Sequence, residues 1–174
     1  MSAGVGAETF AFIALGSNLG DSRQLLLRAF QGLQTFSDRP LRRSSLWRSS
    51  PVDCPPGSAP FLNAVALISV RTAETPERLL EGLQGIEERF GRRPKMVINE
   101  PRPLDLDLIA FGSELRTTAP LVLPHPRAHL RRFVLQPLAE IAPEYVLPLQ
   151  TKTVGQLLEE LRTDEVVILM IDAA

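Results

Sequence analysis

The stretch LDLDLIAF (104–111) constrains the fold more than any other part of the chain. Leu104, Leu106 and Leu108 alternate with Asp105 and Asp107, which is the period of a β-strand. Side chains alternate across a strand, so the leucines form one apolar face and the two aspartates share the other. Such a strand belongs in a sheet with one face buried and a carboxylate pair held on the opposite face. Ile109 and Phe111 are expected to continue the aspartates' face as apolar, which would leave that face partly covered. Carboxylates are costly to bury without partners, so this face needs a reason to exist.

The flanking sequence supplies the other elements. TFAFIAL (9–15) reads as a strand, followed by the tight turn GSNLGDS. Asp21 or Ser22 then caps a helix with Leu26, Phe30, Leu33 and Phe36 on one face. LRRSSLWRSS (41–50) reads as a partly exposed strand and FLNAVALISV (61–70) as a more buried one. Thr75-Pro76 starts a second helix, with proline at the first helical position. Its stripe is Leu79, Leu80, Leu83, Ile86 and Phe90, and Gly91 ends it. A basic, proline-punctuated loop, RRPKMVINEPRP (92–103), leads into LDLDLIAF. FGSELRTT then reads as a hairpin turn. PRAHLRRFVLQPLAEIAP (126–143) holds a short helix stopped by Pro143, and TVGQLLEELR (153–162) a last helix. VVILMI (166–171) fits either a late strand or a packed tail. The order is roughly β-α-β-β-α-β with additions. It predicts an α+β fold, a ferredoxin-like antiparallel sheet with helices packed on it in αβα layers.

Composition narrows the function classes. The 174 residues suffice for one domain with a real core, expected to span 1–174. The 15 prolines cluster at 51–60, 94–103 and 120–126 and mark ordered loops, not a linker. A net charge of −1 supplies no global field to recruit nucleic acid or an anionic membrane. No apolar run approaches the roughly 20 residues of a membrane span. The opening MSAGVGAETF lacks the charged and apolar regions of a signal peptide. Cys54 is the single cysteine and has no partner for an internal disulfide. These features predict a reducing, cytoplasmic setting.

Asp105 and Asp107 should have Cα atoms about 6.6 Å apart in a regular strand. Carboxylates so placed can grip one Mg²⁺, or two about 4 Å apart, or they can form a solvated strand face. Arg92, Arg93, Lys95 and Arg102 lie just upstream, and His125, Arg127, Arg131 and Arg132 just downstream. Acids flanked by cations suit phosphoryl transfer, although each arginine alone could be a surface charge. Gln84 and Glu87 border the stripe of the second helix, where Glu87 is either an exposed flank or a contact inside a cleft. GSNLG lacks the ending of a Walker A loop and reads as a strand–helix connection. His125 and His129 straddle a proline, and with no cysteine nearby they make a poor zinc site. Cys54 reads as incidental.

Taken together, IALGSNLGD (13–21), SSLWRSSPV (44–52), FLNAVAL (61–67), QGIEERFGR (84–92), PRPLDLDLIAFG (101–112) and LPHPRAHLRRFVLQPLAEIAP (123–143) resemble the 6-hydroxymethyl-7,8-dihydropterin pyrophosphokinases of folate biosynthesis. The segments occur in that family's order over roughly 13–145. The resemblance implies Mg²⁺-dependent transfer of pyrophosphate from ATP to the pterin's hydroxymethyl oxygen, releasing AMP. Asp105 and Asp107 would then be the metal pair for two Mg²⁺ ions and, with Arg92 and Arg102, the catalytic set. Asn63 would hydrogen-bond the pterin, Phe61 and Phe133 would sandwich its ring, and backbone groups of Ser49, Ser50 and Val52 would read its other polar edge. Gln84, Glu87, Arg92, Lys95, Arg102, His125 and Arg131 fall on the ATP side. The implied protein is a monomer or weak homodimer whose partners are small molecules, without nucleic acid or membrane.

One region departs from the family pattern. The loop before PRPLDLD commonly carries a second arginine and a Trp-Gly pair, where this chain has Pro94 and Asn99-Glu100. Lys95 or Arg93 is then expected to replace the missing arginine. Pro51 is retained and should stiffen the pterin-side loop. The rival readings are a non-catalytic ligand-binding module, a degenerate copy that binds pterin without transfer, and a nucleic-acid binder. The last is disfavoured by the net charge.

Overall fold

The computed structural model of the chain describes residues 7–171. Most of the stretch read for a leader, and the last three residues of the tail, lie outside these. In chain order the described elements are β1 (Phe10–Ser17), α1 (Ser22–Gln34), β2 (Arg42–Arg43), β3 (Trp47–Ser49), β4 (Phe61–Ser69), α2 (Pro76–Arg89), β5 (Asp105–Phe111), β6 (Arg116–Thr118), β7 (Leu121–Leu123), α3 (Arg132–Ile141), α4 (Val154–Glu160) and β8 (Val167–Leu169). A six-stranded sheet runs β5-β1-β4-β3-β8, with β2 also paired to β4, and every pair in it is antiparallel. Read without β8, this is the ferredoxin-like order the sequence predicts.

The helices begin where their caps do. Asp21 accepts the Gln24 N–H at 3.1 Å and starts α1. Thr75 accepts the Arg78 N–H ahead of Pro76 and starts α2. Thr153 and Gln156 form a reciprocal capping box at α4. Each such cap stabilises its helix by about 1 kcal/mol. Gly91, at φ +88°, turns the chain sharply after α2, so that Arg92 folds back toward the helix it has just left.

The sheet carries a core on each face. On one side α1 and α2 bury Leu26, Phe30, Leu33, Leu79, Leu83 and Ile86 against Ile13, Leu15, Ile68, Leu104, Leu106 and Leu108. On the other, α3 and α4 bury Val134, Leu135, Leu138 and Val154 against Phe12, Val65 and Ile109. This second layer stops short of the ends of β1, β4 and β5 near Gly16, Phe61 and Asp105, and the site opens there.

Four local expectations are corrected. Ile109 continues the aspartates' face, but Phe111 does not: it packs with Leu104, Leu106 and Leu108. The cause is a bulge. Ile13 pairs with Leu108 and Phe12 with Ala110, so Ile109 is an extra residue and every later side chain changes face. The 41–50 strand is broken into β2 and β3, because Ser44 enters the ladder with its hydroxyl, accepting the Val65 N–H at 2.9 Å. The turn at 112–114 does not fold its chain back onto β5; the hairpin is the next one, β6-β7. Phe36 lies beyond the end of α1, although it still packs against that core. The tail resolves as a strand, β8 on β3.

Candidate active site

The register of three strands sets the layout. Gly16 pairs with Asn63 on one side and with Asp105 on the other, so Asn63, Gly16 and Asp105 form one row across the sheet. Ala14 sits likewise between Val65 and Asp107 in the next row. Neighbouring strands are roughly 4.8 Å apart, which puts Asn63 and Asp105 about 10 Å from each other with a glycine between them. A Cβ on Gly16 would come 3.6 Å from Asn63 Oδ1 and 3.8 Å from the Phe61 ring, so the missing side chain is what keeps this floor open.

Above that floor lies a cleft of about 610 Å³. Every site residue expected from the sequence lines it: Ser49, Ser50, Val52, Phe61 and Asn63 toward one end, and Gln84, Glu87, Arg92, Lys95, Arg102, Asp105, Asp107, His125, Arg131 and Phe133 around the rest. Arg93 is not among the lining residues, so of the two substitutes for the absent loop arginine only Lys95 reaches the cleft.

The acidic end is an ion-pair network centred on Arg92 and Asp105. Glu87 is buried, not an exposed flank. Its carboxylate accepts the Leu106 N–H at 2.7 Å, satisfying a donor on the free edge of β5, and it also pairs with Arg92. Arg92 reaches on to Asp105 Oδ1 at 2.8 Å, and Arg102 lies 3.4 Å from Asp105 Oδ2. Burial pushes the Glu87 carboxyl up to about 7, against the pull of the Leu106 N–H and Arg92. Burial, then the neighbouring Asp105, push Asp107 up to about 6, while Arg131, Arg102 and Arg92 oppose this. Asp107 has no hydrogen-bond partner among the described residues. Two adjacent carboxylates, one of them unpartnered, suit a divalent cation. Among the described residues no group of three or more His, Cys, Asp or Glu side chains could hold a metal ion. Two carboxylate oxygen donors on one strand face suit a hard cation such as Mg²⁺, which commonly keeps water and substrate phosphate among its ligands. The Arg102 Nε is buried with no partner, a donor aimed at nothing the chain supplies.

The opposite end is apolar and fixed by side-chain amides and hydroxyls. Asn63 donates to Ser49 Oγ at 2.7 Å and to the Trp47 carbonyl at 3.3 Å. Phe133 is the second residue of α3, beside the Arg131 guanidinium 5.4 Å from its ring centre. His125 bridges the two ends. Its backbone N–H donates to the Ile109 carbonyl at 2.8 Å, at the bulge, and its ring Nδ1 accepts the Arg127 backbone N–H at 3.2 Å. Burial, with Arg131 and Arg127 nearby, drives its pKa down to about 4, so the ring is neutral.

Three features of the site were not foreseen. Asn18 is buried, and its Oδ1 accepts the Arg102 N–H at 3.0 Å while its own N–H donates to the Arg102 carbonyl at 3.2 Å. Its Nδ2 donates to the Ala59 carbonyl at 3.3 Å, so one residue ties both flanking loops to β1. The signal was present in GSNLGDS: Asp21 already caps α1, which leaves Asn18 without a capping task. In the departing loop, Glu100 accepts the Met96 and Val97 N–H groups, and Asn99 donates to the Asp53 carbonyl at 2.8 Å. Glu165, from the tail, also lines the cleft, and nothing local in the sequence marks it.

A family model described as 7,8-dihydro-6-hydroxymethylpterin-pyrophosphokinase matches residues 12–143. The chain is 38% identical over 150 residues to a 2-amino-4-hydroxy-6-hydroxymethyldihydropteridine pyrophosphokinase of Synechocystis, covering 86% of this chain and 75% of that one. It is 35% identical over 150 residues to the folic acid synthesis protein fol1 of Pneumocystis carinii, covering 86% of this chain but 20% of that protein. Among solved structures, a Plasmodium falciparum HPPK-DHPS triple mutant superposes with a TM-score of 0.71 at 13% identity. The match spans 88% of this chain and 43% of that one, and shows a shared fold.

Proposed function

The chain belongs to the 7,8-dihydro-6-hydroxymethylpterin-pyrophosphokinase family, and from that premise we propose how its cleft performs the reaction. It is an ATP-dependent transferase that moves pyrophosphate from ATP to the hydroxymethyl group of 6-hydroxymethyl-7,8-dihydropterin, giving AMP and the pterin diphosphate in folate biosynthesis. The observation that carries the assignment of residues is the row Asn63–Gly16–Asp105, which sets an amide and a carboxylate about two strand spacings apart across an unfilled glycine.

In this reading the pterin ring lies over Gly16 between Phe61 and Phe133, and Asn63, with backbone groups of Ser49, Ser50 and Val52, reads its polar edge. Two aromatic faces and a small set of amide contacts suit a flat, polar heterocycle. The hydroxymethyl group then points along the row toward Asp105. Asp105 and Asp107 hold Mg²⁺, two ions in this proposal. A metal held there would supply positive charge to offset that of the phosphates. Arg92 and Arg102 are the catalytic cations. Each already touches Asp105, and the unpartnered Arg102 Nε is the free donor that would meet a phosphate oxygen. Gln84, Glu87, Lys95, His125 and Arg131 line the ATP side. Glu87 keeps Arg92 and β5 aligned, and neutral His125, with Nδ1 accepting from Arg127, can donate one hydrogen bond from Nε2 without adding charge. Catalysis is positioning and electrostatics, with no side chain placed as a general base.

The test is turnover with ATP, Mg²⁺ and the dihydropterin, resolving nucleotide products by chromatography. The expected result is AMP that needs both pterin and metal and disappears in Asp105→Asn. ADP in place of AMP would reject pyrophosphate transfer. Pterin binding without any turnover would mean a degenerate copy, and would point to loop 93–100.

A further inference from the structure

The family match ends at residue 143, yet the cleft contains a carboxylate from beyond it. Glu165 is carried in by the tail. Just past it, Val166 bonds Ser50 twice: the Ser50 N–H donates to the Val166 carbonyl at 3.0 Å, and the Val166 N–H to Ser50 Oγ at 3.2 Å. β8 continues that zipper along β3. Glu165 is therefore held beside the Ser49–Ser50 corner of the cleft. Its Oε2 accepts the Phe133 N–H at 3.2 Å. Arg131, the residue before α3, provides no side-chain cap, so this carboxylate caps the helix from a distant part of the chain. Its other oxygen, Oε1, has no partner among the described residues.

We propose that Glu165 is a specificity-determining residue of the pterin end, whose free carboxylate oxygen accepts hydrogen bonds from the 2-amino side of the substrate ring. The inference rests on the pterin reading above. A 2-amino-4-oxopyrimidine edge presents an oxygen and adjacent N–H donors. The Asn63 amide gives its N–H groups to Ser49 Oγ and the Trp47 carbonyl, which leaves Oδ1 to accept from the ring N–H beside the oxo group. The exocyclic amino group has further donors that need acceptors, and a carboxylate is the strongest acceptor a protein offers. The other carboxylates of the cleft are differently engaged or placed. Glu87 and Asp105 are held by Arg92, Asp107 lies in the row beyond Asp105, and Asp53 is exposed on the 51–60 loop. The same placement has Glu165 set the height of Phe133 through the cap, so one side chain touches the substrate's edge and fixes the ring that covers its face.

Glu165→Gln keeps an acceptor for the Phe133 N–H but removes the charge. Calorimetric titration measures the affinity of wild type, Glu165→Gln and, as a control, Asp53→Asn for two ligands: 6-hydroxymethyl-7,8-dihydropterin and its 2-desamino analogue. The expected result is a dihydropterin affinity about ten- to hundredfold weaker in Glu165→Gln, with the analogue bound equally weakly by wild type and variant. Asp53→Asn and the affinity for a non-hydrolysable ATP analogue should not change. Equal losses for both ligands would overturn the proposal and leave Glu165 as a helix cap only. Unchanged dihydropterin affinity would overturn it outright. A wild type that binds ATP but neither pterin would instead reject the pterin reading, and this inference with it.

Discussion

The two ends of the cleft are built by opposite means. The acidic end is local: Glu87, Arg92, Arg102, Asp105 and Asp107 fall within 21 residues, and all but Asp107 are joined by ion pairs among themselves. The aromatic end is assembled from far apart. Ser49, Asn63, Phe133 and Glu165 come from two strands, a helix start and the tail, and only the sheet register and a remote helix cap bring them together. The difference teaches where each end is vulnerable. The acidic end is strained electrostatically, with two carboxyls pushed upward by burial, and depends on what neutralises it. The aromatic end depends on packing and on the placement of elements.

The largest effect should come from the acidic end. Asp107→Asn should lower kcat about a thousandfold or more with pterin affinity nearly unchanged, because the metal's charge stabilisation amounts to several kcal/mol. Chelation of Mg²⁺ should abolish AMP formation in the wild type. Steady-state kinetics beside pterin titration would check both, and an equal loss of pterin affinity would mean that the two ends are not separable. Next, Arg102→Ala should cost about a hundredfold in kcat, the usual effect of removing one preorganised donor from developing charge. The aromatic end should respond in the other parameter. Phe133→Ala should weaken pterin binding about tenfold to a hundredfold while kcat at saturating pterin falls far less. A matching fall in kcat would show that the ring also positions the reacting oxygen.

Two smaller effects concern what lies between. Asn18→Ala cuts the tie from β1 to Arg102 and Ala59 and leaves the Arg102 N–H and the Ala59 carbonyl, in part-buried bonds, short of a partner. It should destabilise the fold by about 1–3 kcal/mol in urea unfolding, and raise the ATP KM more than the pterin KM. His125 should give a pH signature. Its folded pKa is depressed to about 4 from 6.5, so the unfolded chain takes up a proton that the folded chain refuses. That contribution favours the folded state above pH 6.5 and is lost progressively as pH falls from 6.5 toward 4. His125→Gln should therefore lose less stability than wild type between pH 7.5 and 5, measured as unfolding midpoints at the two values. Parallel losses would mean that the imidazole is not held neutral.

The acidic end was legible because its parts are close in sequence and chemically distinctive. Alternation in LDLDLIAF put both aspartates on one face, and Arg92 and Arg102 lay within 15 residues of both. Glu87 was ambiguous for the same local reason: at the edge of an apolar stripe a carboxylate reads equally as surface or cleft, and only the approach of the β5 edge decided for burial. Phe111 was misassigned because a bulge is a matter of pairing. One extra residue opposite Phe12 and Ile13 exchanges the faces, and no pattern within β5 alone reports it.

Glu165 and Asn18 mark the boundary more clearly. Neither belongs to a periodic run, and neither lies near its partners in the chain: 32 residues separate Glu165 from Phe133, and 84 separate Asn18 from Arg102. Hydrophobic period, caps and turns are properties of a few neighbouring residues, so the sequence by itself determined the strands, the helices, their order and the carboxylate pair. Register, bulge and remote capping exist only when distant segments meet. The tertiary structure alone therefore decided which side chains share the row across Gly16, and that the tail would deliver a carboxylate to the far end of the cleft.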